Sequence, residues 1–431
     1  MNAEERARLV REVELSANCS HPIRLSGEVV NLATGEVSAT ALRVACKDRR
    51  QVICPACSYK YKADAWILVS AGLVGGKGTD PAVSTHPRLF VTLTAPSFGA
   101  VHTITAQGTC VTRSSRRPDL RSTCSHGLAS SCARRHHDGD VELGRPLCDQ
   151  CFDYEGAVLW NAHSSRLWNA TIQRIRRGLA EGSGVPQSRL KTVAQLHYLK
   201  VAEVQRRGLV HVHAILRADG PDDVATDPPQ WLLSARLATV VRRAVRGASV
   251  LGLDARRVAW GRVLDVRDIA ASPEDANKVS CYVAKYAVKT TDGSRELARR
   301  FRSRRQIDAL VDDPHTRRLV LTAWDLARRP ELVALHLSEH AHAFGFTGQL
   351  ITKSRGYSTT LGALRAARNA YMAERGVSDP IDGSFHYDGR GYDDPRGVEL
   401  AETFFAMERE LREEARANRS ARVDSSPDES P

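Results

Sequence analysis

Two histidines separated by one residue, His211 and His213, are the first side chains in the sequence that suggest chemistry. In a β-strand, residues two apart project from the same face, so the two imidazoles would lie side by side as ligands for a divalent metal. The segment RRG at 206–208 fits a three-residue hairpin loop, because Gly208 suits the left-handed conformation that such a loop needs. That register pairs Glu203 with His211 and predicts a metal site of two imidazoles and one carboxylate. A two-residue turn would move Glu203 to the opposite face, and two surface histidines on an ordinary strand are the alternative.

Two tyrosines on a predicted helix could supply a nucleophile for such a site. The segment SPEDANKVSCYVAKYAVKT at 272–290 begins with a serine N-cap and a proline at the first helical position. Helical spacing places Tyr282 and Tyr286 on one side, and each is followed three residues later by a lysine, Lys285 or Lys289. Because the pKa of a phenol is near ~10, we expect these ammonium groups to favour the phenolate and to neutralise a phosphate. The alternative is an amphipathic helix that packs both tyrosines into the core.

The balance of charge favours a nucleic-acid partner. The 431 residues include 62 Lys and Arg against 50 Asp and Glu, a formal net charge of +12. Much of the excess lies in arginine clusters, at 113–117, 174–177, 242–243, 299–305, 317–318 and 328–329. Clustered guanidinium groups suit DNA phosphates, whereas solvated helix faces in an arginine-rich chain are the alternative. No segment approaches the ~20 apolar residues that cross a bilayer, so we expect a cytoplasmic protein without a membrane partner.

Ten cysteines in a chain expected to be intracellular favour metal binding over disulfides. Two CxxC pairs resemble the knuckles of tetrahedral zinc sites, and we predict that together they hold one structural Zn²⁺ through Cys54, Cys57, Cys148 and Cys151. The gap between the pairs is much longer than in a compact zinc ribbon. A candidate second zinc site lies within that gap, with Cys110, Cys124, His126, Cys132 and His136 as its ligands. Buried thiols without metal are the alternative.

Periodicity and turn residues predict an α+β chain. Strands are predicted over 88–95, 191–205 and 209–217, and helices over 156–179, 230–247, 273–290, 294–312, 316–328 and 361–375. The predicted domains are an N-terminal region at 1–87 with the first CxxC pair, a catalytic domain at 88–290 with a Cys/His-rich insertion at about 108–151, a mostly helical, basic C-terminal region at 291–410, and a disordered tail at 411–431. The glycine-rich loop at 72–78 lacks the Walker pattern, which excludes a P-loop ATPase.

Three segments in this order resemble the motifs of HUH rolling-circle replication initiators: RLFVTLTA at 88–95, EVQRRGLVHVH at 203–213 and YVAKYAVK at 282–289. The chain is similar to the actinobacterial plasmid type often called RepSA-like, from NCSHPIRL at 18–25 to TGQLITKSRGYSTT at 347–360. The resemblance implies an HUH/Rep-type central antiparallel sheet with flanking helices. The first motif would lie on a strand beside the hairpin, and the second would supply the metal ligands.

The same resemblance implies a metal-dependent DNA nickase that uses Mg²⁺ or Mn²⁺. The third motif would supply the nucleophile, with Tyr286 preferred because related plasmid initiators carry glutamate at the position of Tyr282. The initiator would cut one strand of origin DNA, single-stranded or in a hairpin, and leave a 3′-hydroxyl for host polymerase, with a host helicase as a further partner. An HUH transposase or relaxase is the alternative within the same chemistry. A zinc-binding regulator that binds DNA without cutting it is the alternative from another class.

Overall fold

The structure is a computed structural model that describes residues 2–31, 34–104, 123–132, 134–221, 226–288, 295–375 and 381–424. Its α-helices are α1 (Ala3–Leu15), α2 (Pro55–Val74), α3 (Tyr154–Ser183), α4 (Ser234–Gly247), α5 (Pro273–Ala287), α6 (Arg304–Leu310), α7 (Pro314–Leu326), α8 (Leu361–Glu374) and α9 (Arg396–Asp424). Its strands are β1 (Ile23–Asn31), β2 (Val37–Val44), β3 (Arg88–Leu93), β4 (Gln195–Val204), β5 (Val210–Asp219), β6 (Ser249–Leu251), β7 (Arg257–Ala259), β8 (Leu264–Asp268), β9 (Ile351–Lys353) and β10 (Ile381–Arg390). Within these residues, no helix is long and apolar enough to span a bilayer.

The chain divides into two compact units. The first combines Met1–Asp64 with Leu361–Pro431, and the second is Ala65–Thr360. The predicted boundaries at 87, 290 and 410 therefore group the chain differently from the structure. The physical reason is a long-range strand pairing, since β10 near the C-terminus pairs with β1 near the N-terminus.

The first unit is built on a three-stranded antiparallel sheet in the order β10-β1-β2. Its first helix, α1, starts with a capping box in which Asn2 and Glu5 each accept a hydrogen bond from the other's backbone N–H. Its last helix, α9, runs to Asp424, so the predicted disordered tail is wrong for residues 411–424. Glu and Arg side chains four residues apart, such as Glu408 with Arg412 and Arg409 with Glu413, support that helix.

The second unit contains a five-stranded antiparallel sheet in the order β8-β3-β5-β4-β9. This sheet confirms the predicted strand at 88–95 and the predicted strand pair that follows it. Even-numbered residues of β5, among them Val210, Val212 and Ala214, join a core that includes buried residues of α3 and α4. Because side chains alternate along a strand, the odd-numbered His211 and His213 lie on the other face.

Helix α5 provides the cover on that second face. Ser272 accepts a hydrogen bond from the backbone N–H of Asp275, and Pro273 occupies the first turn, as the sequence predicts. Ala276, Ser280 and Val283 are buried along one side of the helix. Tyr282 and Tyr286, on a neighbouring side of α5, contact His213 on the histidine face of the sheet.

Candidate active site

The hairpin that joins β4 to β5 has the predicted register. The backbone N–H of Gln205 donates to the carbonyl of Leu209 at 2.9 Å, and that of Gly208 donates to Gln205 at 2.8 Å. Gly208 has a φ of 78°, in the left-handed region. Glu203 consequently lies directly opposite His211 in the ladder. The prediction that Glu203 shares a face with the histidine pair is confirmed.

A buried asparagine holds this turn from the core side. Asn161 on α3 donates to the carbonyl of Gly208 at 2.7 Å and to that of Phe344 at 3.1 Å. Its amide oxygen accepts from the backbone N–H of Val210 at 3.0 Å. Asn161 was not among the predicted site residues, and its one signal in the sequence is a polar side chain after the apolar run AVLW at 157–160. Its three hydrogen bonds tie the turn to α3 and so help to fix the register of the candidate ligands.

The donor atoms of the hairpin suit a divalent ion. Nε2 of His213 lies 3.7 Å from a carboxylate oxygen of Glu203, and its Nδ1 lies 3.3 Å from the Thr92 hydroxyl. Nε2 of His213 and Nδ1 of His211 are buried and have no hydrogen-bond partner among the described residues. A histidine ligand is commonly oriented by a bond to its other ring nitrogen, and Thr92 is placed to provide that bond.

Burial, reinforced by the charges that His213 and Arg207 can carry, lowers the pKa of His211 to about 4. Its imidazole is therefore neutral near pH 7, which is the form that binds metal. The ligating atoms of Glu203, His211 and His213 do not all lie within 4.8 Å of one another. Side-chain rotations would be needed to close Glu203, His211 and His213 around one ion.

Both predicted nucleophiles, Tyr282 and Tyr286, contact His213. The ring centroids of Tyr286 and Tyr282 lie 4.8 Å and 5.2 Å from that of His213. The Tyr286 hydroxyl donates to the Tyr282 hydroxyl at 3.2 Å. Phe90 of β3 stacks on His213 and meets Tyr282 edge-on, which fixes the rings against the sheet. The sequence placed Phe90 in its first motif but did not predict this packing.

The described surroundings of Tyr286 favour its neutral phenol. Burial raises the pKa of Tyr286 well above its usual value, and the hydrogen bond to Tyr282 and the Glu203 carboxylate raise it further. Lys285 is exposed, and Lys289 lies outside the described residues. The lysine predicted to favour the phenolate of Tyr286 is Lys289, so that part of the prediction lies outside the described residues, and the described surroundings of Tyr286 stabilise the neutral phenol.

The cysteines group differently from the predicted single site. Cys54 and Cys57 meet Cys19 and Cys46 in the first unit, whereas Cys148 and Cys151 meet Cys124 and His126 in the second. The candidate second site is also divided, since Cys132 and His136 lie with His102 instead. Cys110 falls outside the described residues. The predicted combinations are thus wrong: the two CxxC pairs belong to separate clusters, and each pair lies with two further side chains that could ligate a metal.

A groove between α3 and α4 is lined mainly by positively charged side chains. It has a volume of about 310 Å³ and is lined by Arg174, Arg177, Arg236 and Arg243, with Glu181 as the acidic side chain. Arg243 lies 3.8 Å from Glu181, in an exposed ion pair. We call these four arginines the arginine groove. Their positive excess suits the phosphates of a nucleic acid.

Comparisons with known proteins support the replication-initiator part of the resemblance. The family model RepSA, described as "Replication initiator protein, pSAM2", matches residues 5–406. A replication initiator protein of Streptomyces ambofaciens is 38% identical over 375 residues, which cover 84% of this chain and 77% of that protein. No solved structure matches.

Proposed function

Because the chain belongs to the RepSA family of replication initiators, we propose that it starts replication by nicking one strand of origin DNA with a tyrosine. The observation that carries the proposal is the packing of Tyr282 and Tyr286 against His213, on the sheet face that also bears Glu203 and His211. A nucleophile pair and a metal-type donor set thus share one surface. This combination is what phosphoryl transfer to a tyrosine requires.

Glu203, His211 and His213 would hold a Mg²⁺ or Mn²⁺ ion. Such an ion, when bound, polarises the scissile phosphate and offsets the charge that develops on its oxygens. Thr92 would keep His213 oriented through Nδ1 and leave Nε2 for the ion. One carboxylate and two imidazoles would leave coordination positions open for the DNA.

In the proposed reaction, the Tyr286 oxygen forms a bond to phosphorus while the bond from phosphorus to the 3′ oxygen breaks. The phenol proton passes to the Tyr282 oxygen, which accepts the hydrogen bond of Tyr286, while Tyr282 releases its own hydroxyl proton to the solvent to which it is 41% exposed. The departing oxygen takes up a proton and becomes the 3′-hydroxyl that primes host polymerase behind a host helicase. The 5′ phosphate stays joined to the tyrosine. Tyr282 could attack in a later strand transfer, since it contacts the same histidine.

The arginine groove would bind the duplex part of the origin. The histidine face and the core that includes α3 and α4 lie on opposite sides of the sheet. The groove would thus bind a part of the origin away from the cleavage site. Its guanidinium groups would contact backbone phosphates without reading the base sequence. Cutting and duplex binding would then depend on separate residues.

A nicking assay tests the proposal. The probe is a supercoiled plasmid that carries the replicon encoding this chain, incubated with the full chain and Mg²⁺ or Mn²⁺ and resolved on denaturing gels. We expect a relaxed product with a covalent protein–DNA adduct, loss of cleavage in His211→Ala, and loss of most adduct in Tyr286→Phe. Tyr387→Phe removes an exposed tyrosine hydroxyl far along the chain and should react as the wild type does.

Two outcomes would contradict the proposal. Full adduct formation by both His211→Ala and Tyr286→Phe would exclude these residues from the reaction. Binding of the origin without any divalent-ion-dependent nicking would indicate a regulator that binds DNA but does not cut it.

A further inference from the structure

We propose that the chain holds two structural zinc ions, one within each compact unit. Each of two clusters contains four ligating side chains whose donor atoms all lie within 4.8 Å of one another: Cys19, Cys46, Cys54 and Cys57 in the first, and Cys124, His126, Cys148 and Cys151 in the second. Four-coordinate Cys₄ and Cys₃His sets are typical of structural zinc. The proposal is independent of whether the protein cuts DNA.

The distances in the first cluster match a tetrahedral ion rather than disulfides. Sγ of Cys19 lies 3.7 Å from Sγ of Cys54 and 3.7 Å from Sγ of Cys57. Four sulfurs placed ~2.3 Å from a central Zn²⁺ are separated by about 3.8 Å along each edge of the tetrahedron. A disulfide would require a separation of about 2.05 Å, and all four cysteines are free. The sulfurs therefore surround a space of the size that the ion occupies.

Backbone groups around the first cluster favour thiolates. The N–H of Cys46 donates to Sγ of Cys19 at 3.2 Å, and the N–H of Asp48 donates to Sγ of Cys46 at 3.4 Å. Such donors stabilise the negative sulfur that binds metal. Cys54 lies immediately before α2 and Cys57 lies in its first turn, which forms the knuckle that the CxxC spacing predicts. Cys19, Cys54 and Cys57 are buried, so the ion would be shielded from solvent.

The second cluster has the dimensions of a Cys₃His site. Nδ1 of His126 lies 3.3 Å from Sγ of Cys151, 3.6 Å from Sγ of Cys148 and 4.0 Å from Sγ of Cys124. A tetrahedral ion with ~2.3 Å bonds to sulfur and ~2.0 Å to nitrogen separates the two kinds of donor by about 3.5 Å. Tight turns arrange the ligands, since Gly127 donates to the Cys124 carbonyl and Cys151 donates to the Cys148 carbonyl.

The second ion would order a segment that supports the candidate active site. The Arg206 guanidinium, in the hairpin turn, donates to the carbonyls of Asp138 and Asp140 at 2.6 Å and 3.1 Å. These two residues lie between the ligands Cys124/His126 and Cys148/Cys151 in the chain. Zinc at the second site would therefore hold the loop that contacts the turn of β4 and β5, without itself taking part in chemistry.

Zinc content of purified full-length variants tests the proposal. We compare Cys46→Ser, Cys148→Ser and the double variant by elemental analysis after exhaustive dialysis under reducing conditions. Each single variant should lose one zinc ion per chain relative to the wild type, and the double variant should lose two. Cys281→Ser removes an exposed cysteine outside both clusters and should keep the wild-type content. Differences between variants, rather than the total, carry the test, because the group of His102, Cys132 and His136 could also take up metal.

Two results would overturn the proposal. A wild-type chain with fewer than two zinc ions lacks one of the sites. A double variant that loses no more zinc than either single variant places both CxxC pairs at one shared ion. Where a variant does not fold, the wild-type chain is stripped of zinc and titrated with Co²⁺ instead. With two tetrahedral thiolate sites, the thiolate-to-cobalt absorption should increase until at least two equivalents of Co²⁺ per chain have been added. Saturation at one equivalent contradicts the proposal.

Discussion

The substitution Gly208→Ala probes the turn that sets the register of the candidate metal site. A Cβ added at Gly208 would lie 2.2 Å from Cδ1 of Leu319, a buried residue of α7. The left-handed backbone, with φ at 78°, costs an alanine about 1–2 kcal/mol. Displacing a packed leucine adds about 1–3 kcal/mol. We therefore expect the free energy of unfolding of the second unit to fall by roughly 2–5 kcal/mol.

A matched glycine separates the two contributions. Gly184 ends α3 with a φ of 72°, and a Cβ there meets nothing within 4 Å. Gly184→Ala should cost only the backbone part, about 1–2 kcal/mol. The clash should also appear as coupling, because Leu319→Ala removes the obstructing methyl and makes the double variant with Gly208→Ala less destabilised than the two single changes predict together.

Urea unfolding followed by tryptophan fluorescence measures these values. All six tryptophans lie between positions 66 and 324, so the signal reports the second unit. Nicking of the supercoiled plasmid, measured without urea at a temperature where each variant is folded, reports whether the β4–β5 register is kept. The reasoning is refuted if Gly208→Ala and Gly184→Ala lose equal stability and no coupling to Leu319 appears. That result would mean that the turn tolerates a side chain and does not fix the position of Glu203.

Three further predictions concern other parts of the second unit. Burial lowers the pKa of Lys200, which is 4% exposed, to about 8; Lys200→Met should therefore gain up to about 3 kcal/mol at pH 7. Below about pH 8, the folded wild type carries the full cost of the buried charge. Its stability rises from about pH 8 to about pH 10.5, so urea unfolding should show the advantage of Lys200→Met over the wild type disappearing across that range. Asn161→Ala leaves buried groups of the turn unpaired and should cost about 2–4 kcal/mol in the same assay, whereas the exposed Asn169→Ala should change stability by less than about 0.5 kcal/mol. Arg174→Ala with Arg236→Ala should reduce the salt dependence of duplex binding by about two phosphate contacts in a filter-binding titration, with cleavage of single strands unchanged.

The features that the sequence predicted well are those that neighbouring residues determine. The register of the hairpin depends on Gly208 and on strand alternation, both within a dozen positions of the histidines. The start of α5 follows from a serine cap and a proline at the first helical position. In each case the residues that decide the structure are the ones that show the pattern, so the sequence alone is sufficient.

The cysteine clusters could not be predicted because their ligands are brought together by distant pairings. A CxxC pair indicates a knuckle but says nothing about which other thiols complete it. Cys19 follows α1 and Cys46 follows β2, and the three antiparallel strands that frame them include β10, more than 330 residues further along the chain. The sequence favours pairing the two visible CxxC motifs with each other, but the structure places each motif in a separate cluster within its own unit.

The pKa of Tyr286 shows why a residue's neighbours in sequence do not determine its chemistry. Lys285 is adjacent to Tyr286, yet consecutive helix positions point in different directions, and its ammonium group is exposed. The groups that face Tyr286 are more distant in the sequence: the Tyr282 hydroxyl lies one helical turn earlier in α5, and the His213 ring and the Glu203 carboxylate lie on β5 and β4. Burial, the hydrogen bond to Tyr282 and the Glu203 carboxylate raise the pKa of Tyr286, so the neutral phenol is the favoured form. In the proposed reaction, a cation beside Glu203 would offset the charge of that carboxylate and lower the pKa of Tyr286, whereas a DNA phosphate alone would raise it further.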